Sequence, residues 1–162
     1  MMTTIKSTML ALLTMAAVIN AAQGAESTVS PNGFKSPECT YGVDMLTAAD
    51  GWNLQFSQSS GRDARKWNTV ISNGSVTTDP QAGDVMVLGA WDGNSFGHVA
   101  WLWGRWGEYV LVIHTNMRIG TDFFAYGGAT FRYAWFRYTG GRQIVCLDNG
   151  KTYPLTAFIH ER

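Results

Sequence analysis

Cysteine is scarce in this chain of 162 residues: there are two, Cys39 and Cys146. Two cannot build the disulfide lattice of a small secreted scaffold, but they can form one bridge or stand as separate thiols. Charge of either sign is also scarce. Lysine and arginine together number 12, aspartate and glutamate 12, so the net charge is zero and charged residues make up 15%. That balance excludes a highly charged disordered tail and leaves no basic field for nucleic acid. Internal repeats, low-complexity tracts and interdomain linkers are missing too. The length fits one globular domain with a core drawn from 46% hydrophobic residues.

The first 24 residues stand apart. A lone Lys6 precedes the apolar runs Met9 to Leu13 and Ala16 to Ile19, and Ala22-Gln23-Gly24 ends with small residues at cleavage-site spacing. This pattern predicts a signal peptide cleaved after Gly24, because the apolar stretch falls short of the roughly 20 residues a membrane span needs. The mature chain would then have 138 residues, with 11 basic against 12 acidic. It would be exported, periplasmic or extracellular, with no stable membrane insertion. Residues 25–35 read as a flexible N-terminal segment.

Ser36-Pro37-Glu38 has the chemistry of a helix start: a favoured N-cap, a proline for the first helical position, and a carboxylate in the positive first turn. Cys39 then sits about three positions into that helix. Free backbone N–H groups and the macrodipole there lower a thiol's pKa towards the reactive thiolate. The bland alternatives are a buried core thiol or half of a disulfide with Cys146. Ala64, Trp67, Val70 and Ile71 mark a second helix over residues 62–71, stopped at Asn73-Gly74.

Past Pro80 the texture changes to short apolar or alternating blocks over residues 84–90, 97–103, 109–117 and 130–139, parted by glycine-rich turns. A last hairpin, residues 143–147 and 151–155, flanks Asp148-Asn149-Gly150 and reads as a C-terminal extension over residues 140–162. Helices first and an antiparallel sheet after predict an α+β fold, with helices packed on the sheet.

Centring the hairpin loop on Trp106 sets His98 across from His114 and brings Asn116 onto the diagonal. All three then share one face, since direct partners and residues two apart do so. A one-residue slip would separate the two histidines. A thiol at a helix start with two imidazoles and an amide converging on one sheet face points to nucleophilic catalysis. The nucleophile would be Cys39, the base His98, and the orienting group His114 or Asn116. The same residue types suit zinc, but neither HxxxH nor CxxC spacing occurs. Trp91, Trp106 and Tyr126 fall in predicted loops and are candidates for lining a substrate groove. Trp101 and Trp103 alternate away from His98 and should pack against another layer. Asp84 reads as a local hydrogen-bonding residue, and His160 as uninvolved.

Five stretches together resemble the CHAP domain, the cysteine, histidine-dependent amidohydrolases and peptidases related to the NlpC/P60 superfamily. They are Glu38-Cys39-Thr40, Gly61 and Ala64 ahead of Trp67, Pro80-Gln81-Ala82-Gly83-Asp84-Val85, Gly97-His98-Val99-Ala100, and Val112-Ile113-His114-Thr115-Asn116. The resemblance spans residues 36–138, and residues 36–139 read as the CHAP-like catalytic domain. It implies a papain-like α+β fold, Cys39 as nucleophile, His98 as base, and hydrolysis of amide bonds in bacterial peptidoglycan. The bond would be that between muramic acid and L-alanine, or one within the stem peptide or its crosslinks. Two departures stand out: His114 replaces the glutamate usual two residues before the asparagine, and Pro37-Glu38 replaces Gly-Gln before the cysteine. The expected partner is peptidoglycan, with no nucleic acid and no cofactor; any inhibitor protein is unidentified. The opposing expectation is a non-catalytic exported wall-binding or inhibitor module stapled by Cys39–Cys146.

Overall fold

The structure, a computed structural model, describes residues 27–162, so the predicted signal peptide lies outside the described residues. Its helical part is small: α1 (Cys39–Ala49), a 3-10 turn (Ala64–Lys66) and the single turn α2 (Trp67–Val70). Eight strands follow: β1 (Gly74–Thr77), β2 (Val85–Leu88), β3 (His98–Trp106), β4 (Tyr109–His114), β5 (Thr121–Tyr126), β6 (Ala129–Arg137), β7 (Gln143–Cys146) and β8 (Thr152–Glu161). Every ladder is antiparallel. Strands β2, β3, β4, β6, β7 and β8 pair in that order, and β8 pairs back onto β2. Six strands therefore close a barrel, with β1 added beside β8 and β5 beside β6.

Closure corrects the expected papain-like α+β fold. Residues 27–162 are mostly β, and their helices are short pieces against the outside of a barrel. Counting helical and strand patterns along the chain cannot reveal this, because closure depends on residues 143–161 returning to pair with β2 and β6. The helix expected over residues 62–71 shrinks to the 3-10 turn and α2, since Ile71 is already extended with ψ 120°. The hairpin around Asp148-Asn149-Gly150 supplies β7 and β8, two of the six barrel strands.

Side chains alternating along the strands divide the interior in two. Met86, Leu88, Ala100, Leu102, Val112, Ala134, Phe136, Ile144, Cys146 and Phe158 fill the barrel. Val85, Val87, Val99, Trp101, Ile113 and Ile159 face outward and bury against Tyr41, Val43, Leu46, Trp67 and Val70 of the helices. Strand β2 is therefore apolar and buried on both faces, which explains its unbroken Val-Met-Val-Leu. Trp101 does pack against a second layer, as its alternation with His98 required.

The β3–β4 hairpin turns on Gly107 and Glu108, pairing Trp106 with Tyr109, three residue-number units from the expected register. A bulge between Leu102 and Gly104 takes one unit back, so beyond it Leu102 opposes Val112 and Trp101 opposes Ile113. His98 consequently lies diagonal to His114 instead of directly across. The net slip is even, which keeps both histidines on one face.

At the other end of the chain, Glu38 keeps an extended backbone (φ −55°, ψ 149°) and caps α1, so Cys39 is its first residue and not its third. The stretch read as flexible is tied down where it is described: Asp44 of α1 accepts bonds from Ser30 Oγ at 2.6 Å, Asn32 N at 2.8 Å and Asn32 Nδ2 at 2.7 Å.

Candidate active site

Close packing fixes the start of α1 against the end of β4. A Cβ on Gly42 would stand 2.6 Å from Thr115 Oγ1, so only glycine lets the two elements approach this far. Thr115 Oγ1 then donates to the Glu38 carbonyl at 2.8 Å. Gly97 plays a similar part ahead of β3. Its φ of +72° suits glycine, and a Cβ there would lie 2.4 Å from the Leu88 carbonyl oxygen. Cys39 and His98 are thereby each held by a glycine-dependent contact.

Both residues, with Asn116, line a cleft of about 500 Å³. Cys39 is partly exposed, at the first turn of α1. Burial pushes its thiol up to about 11, and the charge of Glu38 pushes the same way. The backbone amides of Val99, Thr40 and Cys39 favour the thiolate but are outweighed. The activation expected from the helix start is present in kind and loses in magnitude. At neutral pH the resting side chain is the thiol.

His98 and His114 meet: Nε2 of His98 lies 3.3 Å from Nδ1 of His114, with the rings edge to face at 5.1 Å and 80°. Both are buried. His98 is held well below the ordinary imidazole range, first by burial and then by His114. His114 is lowered to about 4, again chiefly by burial, with Arg132 adding to it and the backbone of Thr115 and Ile119 offsetting part. Arg132 is its direct partner on β6 and bridges to Asp122 at 2.7 Å. His114 Nε2 is buried and makes no hydrogen bond with any described residue.

Asn116 sits just past β4 with φ +58°, exposed on the cleft. Thus His114 contacts His98 directly, while Asn116 shares the cleft without a recorded bond to it. The three proposed aromatics go elsewhere. Trp91 packs edge to face on Tyr153 at 5.1 Å, Trp106 leans on Trp135 at 5.4 Å near the far end of β3, and Tyr126 is in the core. Phe34, Arg62, Asn94 and Phe96 line the cleft instead. Phe96 and Asn94 immediately precede Gly97-His98, and that proximity was the available signal. Asp84 lies at the opposite end of β2, where Oδ2 accepts Gln81 N at 2.9 Å and Oδ1 meets His160 Nδ1 at 2.6 Å. Both cysteines are free, Cys39 on the helix side and Cys146 inside the barrel, so the proposed Cys39–Cys146 staple is not formed.

No family model matches the chain, and no curated protein does. Among solved structures, the crystal structure of Ly7917 aligns over 91% of this chain with 17% identity and a TM-score of 0.51. The crystal structure of Ly7917 with the hydrolyzing product of MDP aligns over 90% with 15% identity and the same TM-score. The chain shares its fold with Ly7917. It spans 62% of that neighbour's length.

Proposed function

We propose that the protein is an exported thiol hydrolase of peptidoglycan, acting on an amide bond in the manner of CHAP-domain enzymes. The observation that carries this reading is the convergence in one cleft of Cys39 at a helix start, His98 backed by His114 at 3.3 Å, and Asn116. A fold neighbour crystallised with the hydrolyzing product of MDP, a muramyl dipeptide, supports the substrate class.

With a thiol and a neutral imidazole at rest, proton transfer accompanies attack. His98 Nε2 faces His114, which leaves Nδ1 to take the thiol proton. His98 must then carry its own proton on Nε2 and donate it to His114 Nδ1, so His114 is protonated on its buried Nε2. As the Cys39 sulfur bonds to the substrate carbonyl carbon, the oxyanion is met by backbone N–H groups near the start of α1. His98 returns the proton to the leaving amine as the C–N bond breaks. Water, deprotonated by His98, attacks the thioester carbonyl, and as the C–S bond breaks the leaving Cys39 thiolate takes that proton from His98. His114 is thus a positioning residue: it fixes the tautomer of His98.

The test is digestion of purified peptidoglycan with the full chain and identification of the soluble fragments by mass spectrometry. A new amine with its matching carboxylate at a single bond type is the expected result. Intact sacculi at high enzyme concentration would overturn the reading.

A further inference from the structure

Arg62 also lines the cleft, ahead of the 3-10 turn. Its guanidinium carbon stands 4.5 Å from the Phe34 ring centroid and 5.2 Å from that of Phe56. These rings meet each other edge to face at 5.5 Å, and both pack on the buried Trp67, so the cation rests on a rigid aromatic wall. One nitrogen, Nη1, donates to the Asn32 carbonyl at 3.1 Å, and Asn32 is itself anchored to Asp44. Guanidinium has five N–H donors in a planar fork. Most of them are left over.

Among the described residues, no carboxylate pairs with Arg62. The two acids of the same cleft are engaged elsewhere: Asp63 meets Lys66 at 3.5 Å, and Glu38 accepts from Thr40 Oγ1 at 3.3 Å. Stacking against two rings holds the guanidinium still, so a ligand meets a preorganised donor fork with little further ordering cost. The fork matches a carboxylate in shape and charge. With Glu38 and Asp63 beside it, the cleft favours a single negative charge over a phosphate dianion.

We propose that Arg62 is the anion subsite of the cleft and receives a free carboxylate of the substrate close to the scissile amide. The preferred substrates are then acidic peptides of the stem-peptide type, which makes Arg62 a specificity-determining residue. This inference rests on the hydrolase reading of the cleft.

The experiment compares one muramyl peptide in two forms, as the free acid and as the fully amidated peptide. Wild type should cleave the acid with kcat/KM roughly tenfold or more above the amide, mainly through KM, as expected for a charge-assisted hydrogen bond. In Arg62→Gln that ratio should fall to about one, and in Arg62→Lys it should be partly kept. Because the readout is a ratio, a general loss of folded protein does not move it. Equal rates on both forms by wild type, or an unchanged ratio in Arg62→Gln, would overturn the proposal. If neither form is cleaved, binding of the acid by wild type is measured directly. Binding lost in Arg62→Gln upholds the subsite while the hydrolase reading fails, and binding unaffected by Arg62→Gln overturns the subsite as well.

Discussion

A histidine, not a carboxylate, stands behind His98, and this sets what the cleft holds at rest. Neutral His114, with Arg132 beside it, does nothing to stabilise an imidazolium on His98. The thiol, pushed up to about 11, gains no preformed ion pair. Alkylation of Cys39 by iodoacetamide in a Cys146→Ala background should therefore accelerate about tenfold per pH unit from neutrality to beyond pH 9, following the thiolate fraction. A plateau between pH 6 and 8 would show instead that the thiolate is already formed. The shift on His98 has the opposite sign. His98 is lowered, so it stays neutral and able to accept a proton well below pH 6.5, and the acid limb of kcat/KM should lie below that value. His114→Glu puts an anion beside His98, favours the imidazolium, and should move that limb to higher pH; a pH–rate profile of the two proteins checks the sign.

Glycines at two contacts position these groups, and each ties one element to another. Gly42→Ala would drive a methyl to 2.6 Å from Thr115 Oγ1 and 2.7 Å from its Cγ2. Its expected cost is about 1–3 kcal/mol in denaturant unfolding, with a larger loss of activity as the Thr115–Glu38 bond breaks and Cys39 shifts. Thr115→Ala in the same chain should recover part of the stability. Much at this scale was legible beforehand. The blocks that became β2, β3, β4 and β6 carry dense apolar patterns bounded by glycine turns, and the histidines shared a face because parity survives an even slip. The bulge at Trp103 was not legible, since no local residue preference demands it. Strand β5 was missed because Thr121-Asp122-Phe123-Phe124 does not alternate, and β1 because Gly74-Ser75-Val76-Thr77 is short and largely polar.

Closure of the barrel belongs to the whole molecule and was invisible in local pattern, since Val85 must find Ile159 from the far end of the chain. The consequence is that residues 140–162 supply Ile144, Cys146, Tyr153, Leu155 and Phe158 to the barrel interior. A chain ending at Tyr138 should lack a cooperative thermal transition, whereas a dispensable extension would leave the transition in place. Closure also places the histidine pair at one end of the barrel, under the start of α1, so that Cys39 and His98 come from separate layers. The papain-like architecture that the resemblance to CHAP enzymes implied gives way to this closed barrel. The central claim is that Cys39 performs the chemistry, and the most direct measurement compares fragment release from purified peptidoglycan by wild type, Cys39→Ala and Cys146→Ala, each checked for an unchanged melting transition. Release by wild type and by Cys146→Ala, and none by Cys39→Ala, is the expected result. Fragment release by folded Cys39→Ala at the wild-type rate would contradict it.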